Sequence, residues 1–236
     1  MFKVFCTFFL MMSTIVRLSA SNIEIRDEFN SVQLERPDVA IEDHPELNPW
    51  IFGGPKKLIK CTDGILTLGS RPGGGEVKMY SKEKFSSGTF SAKIRLNNIG
   101  SGINVYIGFV EMKPWHNSSA WVMFNGSGNG HLYMKKQGTA IAKRDHMRIR
   151  TGTLEQGKWY DLKIVWDVTG VELFIDGLSR GRLTDSKANP DKNLTFYCAL
   201  NTSKTEASFS LDSIVIKGSK TPGSHPARNT GAGKKK

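Results

Sequence analysis

One stretch narrows the folds open to this chain more than any other. From Gly157 to Leu183 it runs Gly-Lys-Trp-Tyr-Asp-Leu-Lys-Ile-Val-Trp-Asp-Val-Thr-Gly-Val-Glu-Leu-Phe-Ile-Asp-Gly-Leu-Ser-Arg-Gly-Arg-Leu. Leu162, Ile164 and Trp166 alternate with Asp161, Lys163 and Val165. Period two is the spacing of a strand with unlike faces. Asp167-Val168-Thr169-Gly170 supplies a tight turn, with glycine where a positive φ is needed. Val171, Leu173 and Ile175 then share one face, and Glu172, Phe174 and Asp176 the other. The stretch predicts two strands joined by that turn, and Asp176-Gly177 is a further turn signal.

The same pattern recurs along the chain. Ile23 to Arg26, Leu58 to Cys61, Ile65 to Leu68, Val77 to Tyr80, Thr89 to Leu96 and Ile103 to Met112 all read as strands. So do Ala120 to Phe124, His131 to Lys135, His146 to Arg150, Thr195 to Leu200 and Ala207 to Lys217. No amphipathic helix stands out. Many short strands at regular spacing predict an all-β domain, a two-sheet antiparallel β-sandwich. Ser31 to Pro49 is polar and proline-bearing and reads as a surface loop. Arg71-Pro72-Gly73-Gly74-Gly75 lacks the strand-to-helix context and the Lys-Ser/Thr of a phosphate cradle.

The ends of the chain differ from its middle. Lys3, the apolar run Val4 to Val16 and the small residues Ser19-Ala20 form the pattern of a secretory signal peptide over residues 1–20. The run is too short to span a bilayer, and no second one follows, so no transmembrane segment is expected. The domain is expected over residues 21–218 and a disordered basic tail over 219–236. The formal net charge is +11; without Lys3 and Arg17 the 33 basic residues become 31 against 22 acidic, a net +9. A cationic secreted protein favours anionic partners such as acidic or sulfated polysaccharides; secretion argues against nucleic acid. Of three cysteines, Cys6 leaves with the signal peptide. The remaining pair predicts a Cys61–Cys198 disulfide worth about 4–5 kcal/mol, with two buried thiols as the alternative. Asn117, Asn125, Asn193 and Asn201 open glycosylation sequons.

Trp159-Tyr160, Ile164-Val165-Trp166-Asp167 and Phe174-Ile175-Asp176-Gly177 together resemble the late hairpin of the concanavalin A-like lectin/glucanase superfamily. Phe85-Ser-Ser-Gly88-Thr-Phe90-Ser-Ala-Lys-Ile-Arg95 resembles the same superfamily's phenylalanine, gap, glycine and basic amphipathic strand. The resemblance covers about residues 22–218 and implies a concanavalin A-like jelly roll. Glucanases of that superfamily carry Glu-x-Asp-x-x-Glu on the strand after the basic one, because retaining hydrolysis needs two nearby carboxyl groups. Gly102 to Met112 has Glu111 alone, and Ala120 to Gly126 has no acid. The motif is missing, so no catalytic residue is assigned.

The expected function is therefore carbohydrate binding without cleavage, the partner being a polysaccharide or glycoconjugate, acidic or sulfated. Binding sugars takes aromatic platforms and a few polar groups, and Tyr106, Trp115, His116, Trp121, Asn125, Tyr133, Arg148 and Arg150 are the candidates. Trp159 and Trp166 read as core. An alternative is a polysaccharide lyase or divergent hydrolase, for which Tyr106, His131, Tyr133, His146, Arg148 and Arg150 are suitable types; another is a structural matrix protein held by its cationic tail. The resemblance also allows a structural calcium ion between the first and last strands, with Asp27 and Asp212 as ligands.

Overall fold

The computed structural model describes residues 21–29, 50–73, 75–112, 118–136, 147–185, 189–190, 193–201 and 205–220. The stretches expected to be a signal peptide, a surface loop and a basic tail, residues 1–20, 30–49 and 221–236, lie outside them. Fifteen strands follow one another among these residues: β1 (Ser21–Asp27), β2 (Trp50–Gly53), β3 (Ile59–Thr62), β4 (Ile65–Ser70), β5 (Val77–Phe85), β6 (Ser87–Asn98), β7 (Asn104–Val110) and β8 (Ser119–Asn125). Then come β9 (Asn129–Lys135), β10 (Met147–Thr153), β11 (Trp159–Asp167), β12 (Gly170–Ile175), β13 (Leu178–Leu183), β14 (Leu194–Leu200) and β15 (Ala207–Lys220). The one helical element among the described residues is a 3-10 turn at Lys56–Leu58.

The strands form two antiparallel sheets. One runs β13-β12-β11-β6-β15-β4-β3, with β1 pairing along the second half of β15; the other runs β10-β9-β8-β7-β14-β5-β2. Alternation decides which side chains meet between them. Phe90, Ala92, Ile94 and Leu96 of β6 and Leu162, Ile164 and Trp166 of β11 face Val105, Ile107 and Phe109 of β7 across one continuous core. Trp166 is 1% exposed, tilts against Phe109 at 5.3 Å and donates Nε1 to Asn189 Oδ1 at 3.2 Å. The Asp167-to-Gly170 turn joins β11 to β12 as expected. Asp63-Gly64 and Asp176-Gly177 both have two successive positive φ values, the left-handed pair a two-residue hairpin turn requires. The Asp176-Gly177 turn leads into β13, a third strand that the alternation in β11 and β12 does not announce.

Cys61 and Cys198 are not bonded to each other; both are buried thiols. Cys61 lies on the edge strand β3 and donates to Phe29 O at 3.3 Å, while Cys198 sits on β14 in the middle of the other sheet. The strand that packs over β14 is β4 rather than β3. Sheets stack about 10 Å apart, and a sideways step of one strand adds to that. A disulfide needs Cα atoms roughly 4.4–6.8 Å apart. Burial, reinforced by the Asp27 charge, pushes the Cys61 thiol up to about 11, and burial raises Cys198 well above the usual thiol range. Neither thiolate is available at neutral pH. Peptide mapping after labelling with a thiol reagent should find both sulfurs unmodified in the folded protein and both modified in denaturant; a linked peptide pair would contradict this arrangement.

Candidate functional site

The outer face of the seven-stranded sheet carries a second apolar cluster, separate from the core between the sheets. Strand register assembles it. Tyr80 of β5 pairs with Tyr197 of β14, Tyr197 with Gly108 of β7, Gly108 with Trp121 of β8, Trp121 with Tyr133 of β9, and Tyr133 with Arg148 of β10. These residues form one row running across the strands. With strands about 4.8 Å apart, a row across the whole sheet is roughly 29 Å long. A second row lies beside it: Lys78, Ala199, Tyr106, Met123, His131 and Arg150, on the same successive strands. A third carries amides, with Asn104 opposite Asn125 and donating its backbone N–H to Asn201 Oδ1 at 2.6 Å.

The first row is the floor. Tyr197 is fully buried, Trp121 is 9% exposed and Tyr133 8%. Tyr197 donates its hydroxyl to Glu76 Oε1 at 2.7 Å, and Lys78 Nζ holds the other carboxylate oxygen at 3.2 Å. Burial and the Glu76 carboxylate push the Tyr197 phenol far up, so it stays a donor. The second row is the accessible layer. Tyr106 is half-buried and stacks on Trp121, ring centroids 4.9 Å apart at 21°. Diagonal cross-strand neighbours of this kind support each other. Burial also raises the Tyr106 phenol, keeping it protonated. Arg148 and Arg150 are exposed at the end of the two rows, and Arg150 donates to Asn129 Oδ1 at 3.0 Å.

Six of the expected carbohydrate contacts therefore come together on one face: Tyr106, Trp121, Asn125, Tyr133, Arg148 and Arg150. Trp115 and His116 lie outside the described residues, as does Asn117. Two roles change. Trp121 is too buried to be a platform and instead backs Tyr106. Asn125 spends its side-chain oxygen on the backbone N–H groups of Ser127 and Asn129, both at 3.1 Å, closing the turn into β9. Tyr80, Tyr197, Glu76 and Lys78 belong to the face although no sequence pattern singles them out. Asn193 is half-buried, its Oδ1 out of reach of solvent.

The outward positions of β7 and β8 are Asn104, Tyr106, Gly108 and Val110, then Ser119, Trp121, Met123 and Asn125. None is a carboxylate.

The pair expected to bind calcium is split by the same alternation. Asp27 points inward, where Oδ1 accepts from Phe29 N at 2.8 Å and Oδ2 from Trp50 Nε1 at 2.7 Å. Asp212 points outward from β15, between the inward Leu211 and Ile214. Two carboxylates on opposite faces of one sheet cannot share an ion. Among the described residues no group of three or more His, Cys, Asp or Glu could hold a metal.

A sequence pattern described as the Concanavalin A-like lectin/glucanases superfamily, of the Laminin_G_3 type, matches residues 71–217, more than half of the chain. The chain belongs to this superfamily. No curated protein matches it in sequence. Solved structures of low identity share the concanavalin A-like fold. A non-specific endo-β-1,3(4)-glucanase from family GH16 is 11% identical with a TM-score of 0.66, over 84% of this chain and 92% of that one. The laminarinase catalytic domain from Thermotoga maritima is 13% identical with a TM-score of 0.63, over 86% and 99%. A sialidase is 12% identical with a TM-score of 0.57 over 73% of this chain, which spans only 17% of the sialidase's length.

The other sheet of this concanavalin A-like domain offers a weaker surface. Trp159 is half-exposed there, not in the core, because it shares parity with Asp161 and Lys163. It lines a depression of ≈ 330 Å³ with Asp161, Asp176 and Asp212. Lys93 sits in register between Asp161 and Asp212, and Arg95 lies 4.6 Å over the Trp159 ring. Lys93 and Arg95 offset part of the acidic charge there, and a face of the tryptophan is already covered. No helix among the described residues is long and apolar enough to cross a membrane.

Proposed function

We propose that the outer face of the seven-stranded sheet binds a polysaccharide without cutting it, that the chain lies across the strands along the aromatic rows, and that the protein acts after secretion. The observation that carries this reading is the pair of adjacent cross-strand rows, apolar and aromatic along their length and ending in arginine. A sugar's C–H faces rest on aromatic rings while its hydroxyls take polar groups. Tyr106 and Tyr80 supply accessible rings, and Lys78, His131 and the arginines supply polar ends. The similar glucanase and laminarinase are named for the polysaccharides they act on, which supports a sugar over a peptide. The cationic end of the rows favours an acidic or sulfated chain. The missing carboxylates of β7 and β8 favour binding over hydrolysis.

Tyr106→Ala removes one of the two accessible rings and leaves the floor in place. In affinity electrophoresis through gels of alginate, pectin, laminarin and sulfated polysaccharides, the wild-type protein should be retarded by at least one. Tyr106→Ala should weaken that retardation about 5- to 30-fold, the equivalent of roughly 1–2 kcal/mol of aromatic contact. Retardation in none of the gels would refute the reading.

A lyase is the second reading. His131 stands beside Tyr133 and opposite Arg150, a base and a cation in reach of one another. Release of unsaturated uronates from alginate or pectin, lost in His131→Gln, would decide for it.

A further inference from the structure

His131 occupies an unusual place on this face. Its Nδ1 is buried and has no hydrogen-bond partner among the described residues. On β8 it faces Met123, which cannot titrate. On its own strand the neighbouring ring is Tyr133, 6.3 Å away. On β10 it faces Arg150 directly, with Arg148 two pairs further along on the same face. Among the described residues, the charges acting on it are those two guanidinium groups. Burial, then Arg148 and Arg150, hold the imidazole below the ordinary histidine range. At neutral pH the ring is uncharged, and a buried polar nitrogen stays unsatisfied. Such an atom costs free energy unless something completes it.

An anion brought between the two arginines and the half-buried ring offsets the part of the penalty that the arginine charges impose, and the protonated ring donates to it through its outward nitrogen while Nδ1 stays enclosed. We propose that His131, Arg148 and Arg150 form a subsite for one anionic substituent of the bound glycan, a sulfate ester or a carboxylate, and that filling it brings one proton from solvent onto His131. This rests on the glycan reading above for its natural ligand but not for its chemistry. No covalent bond changes; one proton is taken up as one anionic group is bound.

The sign follows from linkage. In the free protein the unfolded chain takes the histidine proton first, so stability contributed by neutral His131 is present above about pH 6.5 and is lost as pH falls through the depressed folded value. Ligand binding runs the other way. The complex holds more protons than the free protein, so affinity rises as pH falls, by up to about tenfold per pH unit between the free and bound values.

The test has two arms. NMR titration of the His131 ring, alone and with inorganic sulfate, probes the subsite without any sugar. Sulfate should move the midpoint upward in wild type and leave it unmoved in Arg148→Ala/Arg150→Ala. Calorimetry with a sulfated and an unsulfated glucan oligosaccharide at about pH 7.5 and about pH 5.5 probes the glycan. The sulfated one should bind about five-fold or more tightly at the lower pH, with proton uptake seen as a dependence on buffer. His131→Gln should lose the pH dependence and the proton uptake. A midpoint that sulfate does not move, or a pH dependence that survives in His131→Gln, overturns the subsite. A midpoint moved by sulfate without binding of either oligosaccharide supports the subsite and overturns the glycan reading. A movement that persists unchanged in the double arginine variant marks an adventitious ion only and refutes the proposal.

Discussion

Replacing Gly108 by alanine is expected to lower the unfolding free energy by about 3 kcal/mol or more. Gly108 sits at the middle of the first aromatic row, in the centre of the seven-stranded sheet, with φ at 152°. A Cβ there would lie 2.5 Å from Ala120 O and 2.5 Å from Trp121 Cα. Both are backbone atoms of the paired strand, so no side-chain rotation relieves the clash. The ladder between β7 and β8 has to open, or the glycine's dihedral has to change and carry Tyr106 with it. Gly102→Ala is the control. It also has a positive φ, 79°, but nothing stands within 4 Å of its Cβ. Its cost should be the backbone term alone, about 1 kcal/mol. Urea denaturation of the two variants separates strain from collision. Equal midpoints would mean the strands have room that the geometry denies. If the Gly108 variant still folds, it should also bind glycan more weakly than Gly102→Ala, because Trp121 backs Tyr106.

The same glycine shows which parts of the site are legible in the chain and which are not. β6, β7 and β11 can be read because their two faces differ in chemistry: Ile94 beside Lys93, Ile107 beside Tyr106, Leu162 beside Asp161. β14 is harder to assign a face, since all seven of its residues are buried. Where both faces are buried, parity no longer distinguishes inside from outside, and Tyr197 escapes notice. β13 escapes for the opposite reason. Leu178 to Arg182 is mostly exposed, and an edge strand of Ser, Arg and Gly has no hydrophobic rhythm to detect. Residue type alone sends Trp159 to the core, although its parity with Asp161 points outward. Counting also separates Asp27 from Asp212: Ile25 and Leu211 fix the inward faces of their strands, and the two acids fall on opposite sides. The rows themselves join five strands whose aromatics are far apart in the chain, at 80, 106, 121, 133 and 197. No local pattern encodes that. It exists only once the register is set.

Arg148→Glu/Arg150→Glu is expected to abolish binding of an anionic polysaccharide. Each guanidinium removed from a charge-assisted hydrogen bond takes away roughly 1.5–3 kcal/mol, so removing both costs at least about 100-fold in affinity, before the new repulsion is counted. Stability should change little, because both side chains are exposed on the edge strand β10. Within the protein the double variant gives up the Arg150 hydrogen bond to Asn129, worth at most about 1 kcal/mol at an exposed site. The competing explanation is charge without a site. The chain has 33 basic residues, and Lys234, Lys235 and Lys236 close a basic tail that could hold any polyanion. Removing residues 222–236 is the comparison that decides. A site on the sheet predicts that truncation leaves retardation in a sulfated gel almost intact while the double substitution removes it. The surviving binding should weaken with salt, because the two arginines are exposed, while the contribution of rings packed against sugar persists. The opposite outcome, binding lost with the tail and kept by the double variant, would make the protein a polyanion-retained matrix component whose aromatic rows serve packing. The decision therefore lies at one corner of the sheet, where the first two rows end on β10 and where any chain following the rings must bring its charge.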